Sequence, residues 1–183
     1  MRRSALSFLA AAFTALALPA LARPLTAPEA KALDGAVNSY LAAIEKGDAK
    51  TIVGSIPPRI LQLFATQSGT DATTLETTLA EQMTSLLSGS KFSGLRARTK
   101  GAEAADDTLS DGTKVTWAVV STEFTVTQGD AKTRNEQPML ALREGDVWYF
   151  IRIEGAAQSQ MVSLAYPFLA DAKFPASSSA PVN

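Results

Sequence analysis

The sequence predicts a single α+β domain in which N-terminal helices pack on a curved four-stranded antiparallel sheet. Three observations predict it. Apolar residues recur at three- and four-residue spacing between Leu33 and Leu87, the period of helices. From Phe92 onward the period shortens to two, and Val, Thr and aromatic residues take over. Met139–Ile153 reads as two strands joined at Glu144-Gly145-Asp146. In the second of these, Val147, Tyr149, Ile151 and Ile153 point one way and Trp148 and Phe150 the other. A strand apolar on both faces belongs inside a sheet, with something packed on each side.

The elements follow in order. Thr26-Ala-Pro-Glu29 is a capping box with proline in the first turn, and the helix it opens carries Leu33, Val37, Tyr40, Leu41 and Ile44 as one stripe. Gly47 ends that helix and Asp48 caps a second, with Ile52, Val53 and Ile56 inward. Pro57-Pro58 stops it, since neither residue donates a backbone hydrogen bond. A short helical piece from Arg59 to Ala65 presents Ile60, Leu61 and Phe64, and Thr66–Thr70 is a loop. Asp71 caps a longer helix with Leu75, Leu79, Met83, Leu86 and Leu87 inward, closed by Gly89. Leu95–Ala104 is the first strand and Ala105–Thr113 a polar loop. In Lys114–Gln128 the apolar residues switch faces, so a bulge near Val119-Val120 is expected to gather them on one side. Gln128-Gly129-Asp130 turns the chain, and Lys132–Arg143 returns, with Pro138 marking a bulge or an edge. Met161, Leu164, Ala165 and Phe168 have helical spacing limited by Pro167. The segment 171–183 is Ser-, Pro- and Ala-rich and is expected to be a disordered tail.

Residues 1–22 read as a secretory signal peptide: Arg2-Arg3, an apolar run from Ala5 to Leu18, and the small-x-small step Ala20-Leu21-Ala22. The run falls short of the roughly 20 residues that span a bilayer. Cleavage after Ala22 leaves 161 of the 183 residues, one domain from 23 to 170 plus the tail, with 15 basic against 18 acidic side chains. The expected location is periplasmic or secreted, with no membrane span after cleavage. The dispersed charge gives no basic face for nucleic acid. The chain has no Cys and no His, which excludes Ser-His-Asp and Cys-His catalysis, and no metal or other cofactor is expected.

Tyr40-Leu-Ala-Ala-Ile-Glu-Lys-Gly-Asp48, followed by Thr51-Ile-Val53, resembles the nuclear-transport-factor-2-like superfamily, which includes ketosteroid isomerases and polyketide cyclases. The hairpin Arg143-Glu-Gly-Asp-Val-Trp148 resembles it too, and the element order matches from about Ala27 to Glu154. The resemblance implies a cystatin-like cone whose sheet curls around a pocket. Tyr40 matches the first-helix tyrosine that, in the isomerases, donates a hydrogen bond to a developing oxyanion. The isomerase base has no counterpart, because the matching region reads Ile56-Pro-Pro-Arg-Ile60 without a carboxylate.

The candidate ligand-binding residues are Tyr40, Trp117, Trp148, Phe150 and Arg152, the last as a partner for an anionic group. Each also has a plain reading as core or surface. Glu123, in an otherwise apolar and Thr-rich strand, is the candidate base. Ser88-Gly-Ser-Lys91 has the S-x-x-K spacing but sits at a helix C-terminus, the wrong end. Asp106-Asp107 with Asp111-Gly112 lacks the ligand spacing of a calcium loop. Three functional readings follow. The first is an exported, non-catalytic module that holds a small apolar ligand or a partner protein. The second is a proton-transfer enzyme acting on a hydrophobic molecule through Tyr40 and Glu123. The third is a homodimeric scaffold joined through the sheet face of Tyr149, Ile151 and Ile153, if no helix covers it.

Overall fold

The structure is a computed structural model that describes residues 22–182. The expected signal peptide lies outside the described residues, apart from Ala22. Among the described residues, five α-helices, α1 (Ala27–Lys46), α2 (Ala49–Gly54), α3 (Pro58–Ser68), α4 (Ala72–Ser88) and α5 (Ala156–Ala165), join seven strands. The strands are β1 (Arg23–Pro24), β2 (Lys91–Arg98), β3 (Glu103–Thr108), β4 (Lys114–Gln128), β5 (Ala131–Glu144), β6 (Val147–Arg152) and β7 (Ser178–Pro181).

Helix α1 begins where the capping box predicts. The Glu29 amide donates to Thr26 Oγ1, and the Thr26 amide donates to Glu29 Oε2 at 2.8 Å. It ends on Gly47 in the left-handed region at φ 69°. Asp48 and Asp71 cap α2 and α4 through the amides of Thr51 and Thr74. Helix α3 runs to Ser68, longer than the short piece expected and through part of the expected loop. In α4 no side chain is buried, and Leu86, expected to face inward, is exposed.

The sheet is open and seven-stranded rather than a four-stranded cone. Its frame is the long β4–β5 hairpin, and each of these two strands has different partners along its two halves. β3 pairs the first half of β4 and β2 the second, while β6 pairs the last part of β5 and β7 the first. β4 to β6 follow the expected antiparallel meander, but the strand before them in it is β3 (Glu103–Thr108), not the expected Leu95–Ala104. The extra strands came from segments read otherwise. Leu95–Ala104 splits at Gly101, whose φ of 78° permits a turn, and Ala105–Thr108 leaves the expected loop to join β3. Residues 178–181, expected to be disordered, pair with β5, because an open strand edge supplies hydrogen-bond partners to any extended backbone.

No bulge interrupts β4. Its register with β5 is continuous from Val115 to Gln128. Its apolar residues need no shared face, because both faces are covered. On one side, Val120, Met139, Ala141, Trp148 and Phe150 pack with Leu33, Val37, Tyr40, Leu41 and Ile44 of α1. On the other, Val115, Leu140, Leu142 and Ile153 pack with Ile60 of α3, Val162 of α5, Tyr166 and Leu169. Helices therefore lie on both sheet faces, and β6 is covered on each face as its sequence pattern predicts, but it lies at the end of the strand order and not inside the sheet. Each fully buried Val, Leu, Ile or Phe contributes roughly 1.5–3 kcal/mol. The irregularity occurs in β2, where the register shifts between Ser93 and Arg96 and Gly94 has φ 63°. Pro138 lies opposite Ser121 of β4, in the gap between the ends of β6 and β7, so its missing N–H breaks no ladder on β5's outer side.

Candidate functional sites

Strand alternation sorts the predicted residues. Trp148 and Phe150 project from β6 toward α1, and the Tyr40 ring meets Phe150 at 5.1 Å between centroids. All three are below a tenth exposed, so the aromatic group expected to line a pocket is packed side chain against side chain. Trp117 lies on the other face, stacked on Phe168 at 6.4 Å, and its Nε1 donates to Asp107. The structure thus brings Tyr40, Trp148 and Phe150 together and separates Trp117 from them.

Arg152 is on the α1 side, its guanidinium 4.9 Å from the centre of the Phe124 ring. It has no carboxylate within ion-pair distance among the described residues, whereas Arg23, Arg59, Arg98, Arg134 and Arg143 all do. Glu123 sits on the opposite face from Tyr40, half-buried, 2.6 Å from Arg134. Its cross-strand neighbours are Arg96 and Glu136, so it belongs to a lattice of surface charge. Tyr40 and Glu123 do not converge.

Two ionic clusters stand out, and neither was read from the sequence. In the first, Arg23 binds Glu29 through both terminal nitrogens at 2.9 Å and binds Asp106 as well, with Arg143 3.9 Å from Glu29. The Arg23 guanidinium holds the Glu29 carboxyl down at about 2, with the Thr26 bonds helping. This cluster fastens β1 and the start of α1 to β3. An open cleft of about 600 Å³ lies beside it, lined in part by Lys114 and Asp107.

The second cluster spans the second core. Tyr166, with no exposed surface, donates its hydroxyl to Glu144 Oε1 at 2.6 Å. Arg59 lies 3.6 Å from the same carboxylate and also binds Asp111 and Thr113. Burial, then the bond to Glu144, raises the Tyr166 pKa well above the ordinary tyrosine value. Arg59 holds Asp111 well below the carboxylate range. The members come from α3, the β3–β4 turn, the β5–β6 turn and the end of α5. The only local signal was Tyr166 before Pro167, where a helix must stop.

A second open groove, about 660 Å³, runs between α2 and α4 and is lined by Asp48, Lys50, Thr77, Glu81 and their neighbours. Neither of these two is lined by a predicted site residue, whereas a third open concavity, about 480 Å³ beside β3 and β4, has Trp117 in its wall with Val119, Ser121 and Arg98. Asp106 and Asp111 are engaged by arginines, and no group of three or more potential ligand residues among the described residues could hold a metal ion. No helix among them is long and apolar enough to cross a membrane. Comparison with protein-family models, curated proteins and solved structures finds no match, so the functional reading rests on the geometry of this chain.

Proposed function

We propose that the protein is an exported, non-catalytic binding module whose partner is another protein. The observation that supports this most directly is the packed interior. Tyr40 packs against Phe150 and Trp148 is buried beside them, so the aromatic residues expected to wall a pocket are in the packed core. Exposed apolar surface is on the outside: α4 packs Met83 and Leu87 against the first core and leaves Leu86 70% exposed. Export follows from the reading of Arg2–Ala22 as a signal peptide. Opposite placement of Tyr40 and Glu123 removes the pair that the enzymatic reading needs. Ile151 and Ile153 lie under α5, Phe168 and Phe174, so the sheet face that motivated a homodimer has a cover within the chain.

The test is photo-cross-linking in intact cells. A cross-linking residue is placed at Leu86 on α4 or at Lys132 on β5, with the exposed Asn38 on α1 as control. A discrete heavier band from either position, absent from the control, is the expected result. No band from either position would sink the reading. A second reading, a small ligand with an anionic group, is favoured by the unpaired Arg152 over Phe124. It predicts a small-molecule mass in native mass spectrometry of the periplasmic protein, lost on denaturation and lost in R152A.

A further inference from the structure

We infer that the outer sheet face formed by β2, the second half of β4 and the first half of β5 is a docking surface for an acidic, extended segment of a partner protein, anchored by an apolar side chain in the hollow beside Trp117. This deepens the partner-protein reading and rests on it for the class of partner.

Charge that is scattered along the sequence converges on this face. Lys91 of β2 lies opposite Thr127 of β4, which lies opposite Lys132 of β5. Arg96 lies opposite Glu123, and Arg98 opposite Ser121. Side chains alternate along a strand and the β4–β5 register is unbroken, so these rows and that of Arg134 share the face turned away from α1. Lys91, Arg96, Arg98, Lys132 and Arg134 are all exposed, and the same rows hold two carboxylates, Glu123 and Glu136. A chain with 15 basic and 18 acidic side chains after cleavage thus presents one face with a basic excess.

Internal ion pairs do not use up that excess. Glu123 takes Arg134 at 2.6 Å, and Glu136 lies 3.7 Å from Arg98. Lys91, Arg96 and Lys132 have no carboxylate within ion-pair distance among the described residues. These cations are left for complementary charge on a partner.

The β3 side of the face supplies the anchor. Phe168 stacks on Trp117 but leaves it only half-buried. Trp117, Val119, Ser121 and Arg98 wall the open hollow of about 480 Å³, with Lys100 also lining it. An aromatic wall ringed by basic groups takes an apolar side chain and keeps water from it, the arrangement of an interface hot spot. From Val119 to Thr127 the face runs about 27 Å, the span of roughly eight extended residues, which fits a chain segment and exceeds a small molecule.

Glu123 and Glu136 decide the class of anion. A nucleic-acid backbone or a layer of anionic lipid headgroups is negative throughout and would oppose these two carboxylates as well. A peptide spaces its carboxylates and supplies the apolar anchor from the same chain.

The probe is a synthetic peptide with a central leucine flanked on each side by alternating glutamate and serine. It is titrated into the isotope-labelled exported protein at low salt and followed by NMR. The expected result is saturable shifts confined to Lys91–Arg98, Val119–Thr127, Lys132–Glu136 and the Trp117 indole. Replacing every glutamate by glutamine should weaken binding at least about tenfold. Replacing the leucine by serine should abolish the indole shift. No shift on this face, or equal affinity for the glutamine peptide, would overturn the surface, and an unchanged indole shift would overturn the anchor. R96Q/K132Q alters two exposed side chains without ion pairs, so it should weaken the peptide while leaving the urea midpoint unchanged. Undiminished binding would overturn the role of these cations. A single-stranded oligonucleotide or anionic phospholipid vesicles that bind this face more tightly than the peptide would overturn the choice of a protein segment. In cells, a photo-cross-linking residue at Thr127 should give a band that R96Q/K132Q abolishes. A band from Leu86 alone, with no peptide shift on this face, would retain the partner-protein reading and remove this surface.

Discussion

Replacing Tyr166 by Phe removes one oxygen from a fully buried ring and leaves the ring in place. The oxygen donates to a carboxylate at 2.6 Å, and hydrogen bonds to charged groups contribute about 1.5–3 kcal/mol. Glu144 would keep Arg59 at 3.6 Å, so the larger cost of a stranded buried charge does not apply. The expected loss is therefore about 2 kcal/mol, or roughly 4–8 °C in Tm for a domain of this size. The assay is urea denaturation at neutral pH, repeated up the alkaline side. Because the folded phenol has its pKa raised, its stabilisation is complete below about pH 10 and declines as pH climbs toward the folded value. Y166F should lose that component of the alkaline decline. A Y166F midpoint within about 0.5 kcal/mol of the parent, with an unchanged alkaline limb, would refute the claim that this bond ties α5 to the β5–β6 turn.

Three further outcomes are expected. The Glu29 carboxyl, held at about 2 chiefly by Arg23, stabilises the fold above its ordinary value of 4.5, and this contribution is lost as pH falls from there toward 2. E29Q should flatten that acid limb in a pH-stability series, and an unchanged limb would dissociate Glu29 from the Arg23 clamp. Leu142, with no exposed surface in the second core, should cost about 2–5 kcal/mol when cut to Ala, read by urea midpoint; a loss under about 1 kcal/mol would mean the face is not packed. E123Q should change stability by less than about 1 kcal/mol, since its partner Arg134 is 62% exposed, and a larger effect would contradict its place in a solvated charge lattice.

Local signals carried the helices. Thr26 and Glu29, three residues apart, close their reciprocal bonds within one turn, and Gly47 ends α1 because its conformation is decided at one residue. The alternation of Trp148 and Phe150 with Ile151 and Ile153 likewise announced a strand covered on both sides. The same period two placed Trp148 and Phe150 on one face, and the helical stripe put Tyr40 inward. What it could not say was whether the space between them is open, since that depends on volumes summed across α1 and the sheet.

The remainder was decided in three dimensions. The seven strands and the seat of β7 depend on main-chain edges, whose hydrogen-bonding groups are the same for every non-proline residue and so leave no mark in composition. The β4 pattern invited a bulge because one covered face was assumed; the second layer, α5 with Tyr166 and Phe168, removed the need for one. Arg59, Glu144 and Tyr166 are far apart in the chain and meet only because two hairpin turns and two helices end at the same corner. The sequence by itself determined the caps, periods and turns, whose energies act over a few residues. The tertiary structure determined which charges are buried together and which edge β7 joins, because those depend on contacts made only after the elements have packed.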